Sequence, residues 1–499
     1  AATLVSNTFS NNGTYGAYLI FHPGCHSDTR LEGNRAVGNG QVNGIYLEGA
    51  VTSPAGCRLG YNAAAPYVIW SVNVYEHGLL VLEPGVQTKY VGPTFSRATG
   101  ALIVTGTLEA VGTAEMPVAF TSFWDDAVGG DSNADGAASP PRPGDWLGLV
   151  VRPGGRITLD HGLVRYAGAH GAGLSAIDAA LYLANSEFSH SAGKGVQILV
   201  DGATRPLTLR NNTFFANSDY AASVRTAGSA VAAFEAENNG GSGNGVNGLL
   251  LDAALGTMTL KHNPSLPYVV QSVTVASNQT VTVNSAVVLK GDQVHSGGGS
   301  LFAVDGVLRV MGTSGGEVYL TSLHDDIVGG DTLGNGGAIQ PAAGDWRGLN
   351  INSGGQAHLA HTVLRYAGSD DTGLYNLAGL VTMDRCRIID NVGSGISNQE
   401  GADLIVTNSL IARNSGSGVG NSADSTASIT YCDIKGNGEY GVRSSAPPGS
   451  YLVAEDNFWG AASGPGWDGG YCEYPPSGSG DLITCHNVDY IPFATTAYY

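Results

Sequence analysis

The residues best suited to chemistry are carboxylates in a Gly-rich stretch near position 130. Residues 131–136 read Asp-Ser-Asn-Ala-Asp-Gly. Oxygen side chains at alternate positions followed by Gly are typical of the start of a calcium loop, because Gly permits the sharp turn. Arg142 stands where an EF-hand would have Glu, and no helical pattern flanks the stretch, so other ligands must complete the site. The predicted ligands are Asp125, Asp126, Asp131, Asn133, Asp135 and Asp145.

A second acidic stretch follows 200 residues later. Its predicted ligands are Asp325, Asp326, Asp331, Asn335 and Asp345. Leu333 replaces Asn133 there, so this site should be weaker or differently built. Crowded carboxylates repel one another without a cation, and many flexible oxygen ligands favour calcium over magnesium. The alternative is that both stretches are turn-rich loops in which Asp and Asn bond their own backbone.

The two acidic stretches belong to a longer block that occurs twice, at 121–168 and 321–368. Both copies contain Thr-Ser-x-x-Asp-Asp, Gly-Gly-Asp, Gly-Asp-Trp-x-Gly and Arg-Tyr-Ala-Gly. Shorter matches continue upstream with slightly larger offsets, which indicates small insertions on a shared frame. We therefore predict one copy over residues 1–203 and a second over 204–401.

A shorter repeat lies inside and beyond the second copy. The pattern Asn-x-Gly-x-Gly-Ile/Val, with small variations, begins at Asn391, Asn414 and Asn437, spaced by 23 residues, and each Asn follows a short β-rich stretch. Such a unit cannot bury its apolar face alone, but stacked coils can. We predict further coils over residues 402–450, ladders of Asn side chains between coils, and glycines with positive φ at the turns.

The coil spacing also predicts the state of two cysteines. Cys386 and Cys432 occupy equivalent positions two coils apart, with Ser409 between them. Two coils span ~9.6 Å, which exceeds the ~7 Å between Cα atoms that a disulfide can bridge. Both should therefore be free, packed thiols.

These motifs resemble those of secreted bacterial right-handed parallel β-helix repeat proteins, the pectate-lyase-like superfold. The duplicated block carries the resemblance, together with Asn-Phe-Trp-Gly at 457–460, Ser-Gly-Pro at 463–465 and Val-Asp-Tyr-Ile-Pro at 488–492. The resemblance implies an all-β, right-handed parallel β-helix closed by a C-terminal segment over residues 451–499. A shared fold of this kind implies little about function.

Aromatic and basic residues recur beside both acidic stretches. Trp146 and Trp346 follow Gly-Asp in each copy. An exposed Trp can serve as a platform for sugars, but we favour a Trp that packs the loop against the coils. Arg165 and Arg365 are expected to pair with a carboxylate of the adjacent loop.

The other cysteines and the first residue indicate an oxidising compartment. The six cysteines include no Cys-x-x-Cys pair, so zinc binding is not indicated. We predict disulfides between Cys25 and Cys57 and between Cys472 and Cys485, which suits a secreted or cell-surface protein. Ala1 is the residue expected at the start of a mature chain after removal of a signal peptide.

Charge and hydropathy exclude two classes of partner. The net charge is −19, which repels phosphate backbones and argues against nucleic acid. No stretch of ~18 apolar residues is present, so we predict no membrane insertion.

The sequence favours a non-catalytic, calcium-stabilised structural or surface protein. Gly-x-Ser-x-Gly occurs at 312–316, but a strand-like stretch follows the Ser where a nucleophile elbow needs a helix. An uncovered first coil suggests that molecules stack head to tail into a fibre, while a monomer or a piece of a longer protein remains the alternative. A second hypothesis is a β-helix that binds or cleaves extracellular polysaccharide.

Overall fold

Short strands joined by tight turns make up the whole computed structural model. It describes residues 2–21, 25, 29–92, 95–97, 99–202, 205–227, 230–231, 233–291, 301–447, 452–467, 469, 475–484 and 487–499. Over these residues the structure contains 50 β-strands and no α-helix, and accordingly no helix that could span a membrane. The chain divides into two compact units, unit 1 with residues 1–229, 233–249 and 263–266, and unit 2 with residues 230–232, 250–262 and 267–499.

Unit 1 contains the first 25 strands. In chain order they are β1 Thr3–Val5, β2 Thr8–Ser10, β3 Tyr15–Phe21, β4 Arg30–Glu32, β5 Arg35–Val37, β6 Val42–Val51, β7 Cys57–Leu59, β8 Tyr67–Val74, β9 Leu79–Leu82, β10 Gln87–Tyr90, β11 Ala101–Val104, β12 Thr107–Val111, β13 Val118–Ser122, β14 Gly148–Val151, β15 Arg156–Asp160, β16 Gly162–Arg165, β17 Ala172–Ile177, β18 Ala180–Ala184, β19 Glu187–Ser189, β20 Lys194–Val200, β21 Leu207–Arg210, β22 Thr213–Phe215, β23 Tyr220–Thr226, β24 Phe234–Glu237 and β25 Gly240–Ser242.

Strand β26, Val246–Leu255, contains residues of both units, and the later strands belong to unit 2. They are β27 Met258–Leu260, β28 Tyr268–Val275, β29 Thr280–Asn284, β30 Val288–Gly291, β31 Leu301–Val304, β32 Val307–Met311, β33 Val318–Ser322, β34 Gly348–Ile351, β35 Gln356–Ala360, β36 Thr362–Arg365, β37 Thr372–Leu377, β38 Leu380–Asp384, β39 Arg387–Ile389, β40 Ser394–Gln399, β41 Asp403–Thr407, β42 Leu410–Ala412, β43 Val419–Asn421, β44 Thr426–Thr430, β45 Asp433–Lys435, β46 Val442–Ser444, β47 Leu452–Val453, β48 Pro465–Trp467, β49 Gly480–Ile483 and β50 Val488–Asp489.

Both units are parallel β-solenoids, as predicted. In unit 1 one coil runs through β15, β16 and β17, and the next through β18, β19 and β20. Each strand pairs in parallel with its counterpart one coil later. One face forms a seven-stranded sheet in unit 1 and another a nine-stranded sheet in unit 2. Parallel strands stacked in this way bury the apolar side of every coil on its neighbours.

Alternation of side chains explains how such short strands form a core. Along β15, Ile157 and Leu159 are buried between more exposed residues. Leu159 pairs with Leu183 and then Leu209 on successive coils, all buried. Each fully buried aliphatic side chain of this size contributes about 1.5–3 kcal/mol, so the inward columns drive the coils together.

The sharp corner between two faces holds a left-handed residue in many of the coils. In unit 1 these include His161 (φ 51°), Asn185 (φ 49°) and Asn211 (φ 56°), which follow β15, β18 and β21. His361 (φ 45°) and Asn408 (φ 47°) do the same in unit 2. Because Asn tolerates this conformation better than most residues, its repeated presence marks the corner.

The predicted Asn ladders are confirmed. Asn391 Nδ2 donates to Asn414 Oδ1 (2.9 Å), and Asn414 Nδ2 donates to Asn437 Oδ1 (3.0 Å). Unit 1 has similar ladders, among them Asn212 to Asn239 (3.0 Å). The amides satisfy buried backbone groups at each turn, which would otherwise cost free energy.

The role predicted for the turn glycines was wrong for most of them. Gly393 has φ 65°, but Gly395, Gly416, Gly418 and Gly438 do not have positive φ. A Cβ on Gly438 would lie 2.1 Å from the Ser415 carbonyl oxygen, and one on Gly416 would lie 2.8 Å from a Gly393 backbone atom. These positions need Gly because consecutive coils approach so closely there.

The cysteine predictions are confirmed where the structure describes them. Cys25 and Cys57 form a disulfide with Cα atoms 5.3 Å apart. Cys386 and Cys432 are free and buried, and burial raises the pKa of each thiol to about 12. Cys472 and Cys485 lie outside the described residues.

Candidate metal centre

The acidic loop of unit 1 leaves the coil at the end of β13 and returns at the start of β14. Thr121 Oγ1 donates to Asp125 Oδ2 (2.6 Å), and Ser122 Oγ donates to Asp145 Oδ2 (2.6 Å). Asp145 Oδ2 also accepts from the Arg142 backbone nitrogen (2.9 Å). The Thr-Ser-x-x-Asp-Asp motif therefore ties both ends of the loop to the last two residues of the strand.

The other oxygens of these two carboxylates are also engaged. Asp125 Oδ1 accepts from the Ala127 backbone nitrogen (3.2 Å), and Asp145 Oδ1 pairs with Arg97. Both carboxylates are buried. Asp125 and Asp145 were predicted as metal ligands, but in this arrangement their hydrogen bonds hold the loop in shape.

The corresponding loop of unit 2 begins and ends in the same way. Thr321 Oγ1 donates to Asp325 and Ser322 Oγ to Asp345, and the Ala342 backbone nitrogen donates to Asp345 Oδ2 (2.9 Å). Asp325 and Asp345, also predicted as ligands, thus anchor this loop.

A buried lysine lies beneath each loop. Lys89 Nζ donates to the carbonyl oxygens of Asp125 (2.8 Å) and Gly130 (2.6 Å). Lys290 Nζ donates to the carbonyl oxygen of Gly330 (2.8 Å) and to Thr332 Oγ1 (2.7 Å). Burial lowers the pKa of each ammonium to about 8, although the nearby Asp side chains oppose the shift. At neutral pH the two ammonium groups therefore offset part of the negative charge above them.

The tryptophans pack each loop against the coils, as favoured from the sequence. Trp146 and Trp346 are buried. Their Nε1 atoms donate to the carbonyl oxygens of Arg165 (2.8 Å) and Arg365 (3.0 Å). In unit 1 Tyr90 stacks on Trp146, with ring centroids 4.1 Å apart. Neither Trp can act as a sugar platform.

The prediction for the two arginines was right for Arg365 and wrong for Arg165. Arg365 pairs with Asp325 at 2.6 Å, whereas Arg165 pairs with Glu187 on the next coil at 2.6 Å. Arg387, which pairs with Val363, stands on the next coil where unit 1 has Glu187, so Arg365 has no carboxylate at that position. Arg365 therefore turns to the loop, while Arg165 finds its carboxylate on the neighbouring strand.

Three of the predicted ligands in unit 1 do come together. Asp126, Asp131 and Asp135 each place one carboxylate oxygen within 4.8 Å of the others. Asp131 also shapes the loop, because it accepts from the backbone nitrogens of Asp135 (3.2 Å) and Gly136 (3.0 Å). Asn133 lies beside them, and its Nδ2 donates to Asp135 Oδ2 (2.8 Å).

Two buried oxygens at this cluster have no hydrogen-bond partner among the described residues. They are Asp126 Oδ1 and Asn133 Oδ1. Burial raises the pKa of Asp126, Lys89 lowers it, and Asp131 and Asp135 raise it further. A buried, unpaired oxygen costs free energy, and both atoms are of the kind that can serve as ligands of a divalent cation.

The loop main chain is fixed from a distant strand. The Asn43 backbone nitrogen donates to the Ser132 carbonyl oxygen (2.8 Å), and Asn43 Nδ2 donates to that of Asp131 (3.3 Å). Asn43 Oδ1 in turn accepts from Asn39 Nδ2 (3.3 Å). An Asn ladder of the first coils thus ends on the acidic loop, so the carboxylates project from a braced backbone.

The unit 2 loop has a similar backbone but fewer carboxylates. Asp331 accepts from the backbone nitrogens of Asn335 (3.1 Å) and Gly336 (2.8 Å). Asn335 Oδ1 accepts from the backbone nitrogens of Gly337 and Ala338. In unit 2, an amide whose oxygen is already hydrogen-bonded therefore stands where unit 1 has the third carboxylate, that of Asp135. Burial, followed by the charge of Asp331, raises the pKa of Asp326.

The sequence reasoning missed the buried lysines and the hydroxyl anchors. Lys89 and Lys290 are 201 residues apart, and Thr121 and Ser122 recur in both copies. Comparison of the two copies could have found the lysines, because few charged residues occur at matching positions just before both loops and Lys89 and Lys290 are such a pair.

Comparisons with known proteins agree with the architecture. Residues 347–458 match the family model described as right handed beta helix region. Neither the curated proteins nor the solved structures gave a match. The matched residues lie in unit 2, and unit 1 is built from the same parallel coils. The chain is therefore an all-β, right-handed parallel β-helix repeat protein.

Proposed function

We propose that this protein is a non-catalytic, extracellular structural β-helix whose first acidic loop binds calcium. The observation that carries the proposal is the cluster of Asp126, Asp131 and Asp135, with unpaired oxygens on Asp126 and Asn133. Side-chain oxygens at this density are the ligands that calcium prefers. The bound ion would stiffen a loop that is already anchored at both ends.

The supporting features are structural throughout. Both loops have the same hydroxyl anchors, buried lysine and buried Trp, an arrangement suited to a scaffold. Ser314 of the Gly-x-Ser-x-Gly stretch lies in a two-residue turn closed by hydrogen bonds between Thr313 and Gly316. No helix follows it, so it lacks the geometry of a nucleophile elbow, as expected.

Calcium titration of the wild type and of a paired exchange tests the proposal. Asp135→Asn gives the unit 1 loop the residue found in unit 2, and Asn335→Asp gives the unit 2 loop a third carboxylate. We expect calcium to raise the melting temperature of the wild type. At a calcium concentration 100 times the Kd, the free energy of unfolding should increase by about 2.7 kcal/mol. Asp135→Asn should weaken binding at least tenfold, and Asn335→Asp should add or strengthen a second site.

Isothermal titration calorimetry measures the stoichiometry, with magnesium as the competing ion. Asp424→Asn is a matched control, because this exposed aspartate lies in the turn between β43 and β44 and belongs to neither loop. Absence of any calcium-dependent heat or thermal shift at millimolar calcium would contradict the proposal. So would equal losses in Asp135→Asn and Asp424→Asn.

A further inference from the structure

Unit 1 carries a continuous cluster of aromatic side chains on its first coils. Tyr15 contacts Tyr18, Tyr46 and Phe95, with ring centroids 5.4, 5.1 and 6.4 Å apart. Phe95 leads on to Phe123 and Trp124 at the start of the acidic loop. We call the six rings of Tyr15, Tyr18, Tyr46, Phe95, Phe123 and Trp124 the aromatic cluster.

The cluster is buried at one end and exposed at the other. Trp124 and Phe123 are buried beside Val68 and Val91, whereas Tyr18 is 48% exposed. Two further large side chains continue the surface, Ile20 at 56% and Trp70 at 37% exposure. Exposed apolar groups concentrated in this way mark a binding surface more often than isolated ones do.

Strand register brings these exposed side chains to one face. Tyr18 pairs with Tyr46 on the next coil, and Ile20 pairs with Glu48. The register shifts between Leu47 and Gly49, which pair with Ile69 and Val72, so Trp70 and Ser71 on the third coil both lie across from Glu48. Ile20, Glu48 and Trp70 therefore form an outward column beside the column that begins with Tyr18.

Polar groups are interspersed with the rings. Tyr18 Oη donates to Glu48 Oε1 (2.6 Å), and Arg97 lies over the Trp124 ring, 4.1 Å from its centroid. A surface that combines aromatic faces with a hydrogen-bonding carboxylate and hydroxyl fits a ligand with both apolar and hydroxyl groups.

The second copy shows that the coils do not need these aromatics. Strands β3, β6 and β8 match β23, β26 and β28 in length. At the corresponding positions, Tyr18 becomes Ser223, Tyr46 becomes Leu250, Trp70 becomes Gln271 and Trp124 becomes His324. Since the second copy forms the same strands without these rings, the aromatic side chains of the first copy are not needed to form the coils.

We propose that the face formed by Tyr18, Glu48 and Trp70 binds a neutral polysaccharide. The C–H faces of a pyranose ring can stack on Tyr18 and Trp70, while its hydroxyls hydrogen-bond to Glu48. The protein has a net charge of −19, and Glu48 stands at the centre of the face, so an anionic polymer would be repelled. This inference is independent of calcium binding, because the face uses none of the three clustered aspartates.

Affinity electrophoresis of the whole protein tests the inference. The probes are hydroxyethyl cellulose and dextran as neutral polymers, with polygalacturonate as an anionic one. We expect at least one neutral polymer to retard the wild type and polygalacturonate to leave its mobility unchanged. Tyr18→Ala and Trp70→Ala should each weaken retardation at least tenfold, in calcium and in EGTA alike.

Tyr182→Ala is the matched control, since Tyr182 is a 40% exposed aromatic residue on a different sheet of unit 1. It should bind like the wild type, and melting curves of all three variants should match because each replaced ring is part-exposed. Failure of every neutral polymer to retard the wild type would overturn the inference. Retardation that survives in Tyr18→Ala and Trp70→Ala would also overturn the inference. If the wild type self-associates and these two substitutions abolish the self-association, the face is a contact between copies of the protein and the inference is wrong.

Discussion

At the scale of single residues, the main finding is a lysine buried beneath each acidic loop. Lys89 and Lys290 lose most of their hydration but keep two hydrogen bonds each. The ammonium lies where the carboxylates concentrate negative charge, so it offsets part of their repulsion. Unit 2 has one carboxylate fewer in its loop, because Asn335 stands where unit 1 has Asp135.

This burial predicts a specific pH dependence. The pKa of Lys290 is about 8 in the folded protein, against 10.5 for an exposed lysine. Between these values the unfolded chain binds more protons, so the free energy of unfolding rises as pH increases from 8 towards 10.5. We expect Lys290 to contribute a rise on the order of 1 to 2 kcal/mol between pH 8 and 9.5, at 1.36 kcal/mol per pKa unit. Lys290→Met should remove it.

Urea unfolding at pH 7, 8, 8.75 and 9.5 measures this effect in EDTA. Lys89 contributes a similar rise and the two buried thiols oppose it, so the slope of the single variant should fall below the wild-type slope by the Lys290 contribution. Lys194→Met is the control, since Lys194 lies near the surface and pairs with Asp219; its slope should equal that of the wild type. A slope in Lys290→Met equal to that of the wild type would rule out a buried, charged Lys290.

At the scale of elements, the ladders of Asn side chains connect one coil to the next. Asn414 is buried and forms part of the ladder in unit 2. Its Oδ1 accepts from the backbone nitrogen (3.3 Å) and Nδ2 (2.9 Å) of Asn391. Its Nδ2 donates to the Ile388 carbonyl oxygen and to Asn437 Oδ1. One amide therefore satisfies groups on three consecutive coils.

Substitution of this residue should be costly. Asn414→Ala leaves several buried donors and acceptors unpaired, at about 1–3 kcal/mol for each one that water cannot reach. We expect a loss of about 2 to 4 kcal/mol in the free energy of unfolding, measured by urea titration. Gln356→Ala, on the exposed side of β35, should change stability by less than about 0.5 kcal/mol. A similar loss in both variants would show that the ladder adds nothing specific.

At the scale of the whole molecule, the last residues lie against unit 2. The Tyr498 backbone nitrogen donates to Asp433 Oδ1 (2.8 Å), and Tyr498 Oη donates to the Asp456 carbonyl oxygen (2.8 Å). The Tyr499 hydroxyl donates to the Asn408 carbonyl oxygen. Each of the two residues remains about half exposed, so the aromatic tip is held in place and still accessible.

Head-to-tail assembly stays a prediction. Unpaired backbone groups at the end of a parallel solenoid can pair with those of another molecule, and a heterologous contact of this kind does not close into a ring. We expect purified protein with calcium to form filaments in negative-stain electron microscopy. Val5→Pro, which removes a backbone donor on the side of β1 that faces away from β4, should shorten them, whereas monodisperse rods in every condition would disprove assembly.

The sequence by itself determined the coils, their register and the positions of the acidic loops. The 23-residue spacing placed Cys386, Ser409 and Cys432 on successive coils because each coil adds one rung of hydrogen bonds. The duplicated block located the acidic loops and the tryptophans that pack them, since both copies meet the same packing demands.

Tertiary structure alone decided which side chains meet. Asp126, Asp131 and Asp135 come together while Asp125 and Asp145 bind hydroxyls of the preceding strand, because the fold of the loop sets the direction of each carboxylate. Arg165 turns away from its loop because Glu187 lies one coil later, a contact 22 residues distant in sequence. Stacking of coils brings such residues within 3 Å of each other. The local sequence around an arginine does not indicate which carboxylate lies nearest to it after the coils have stacked.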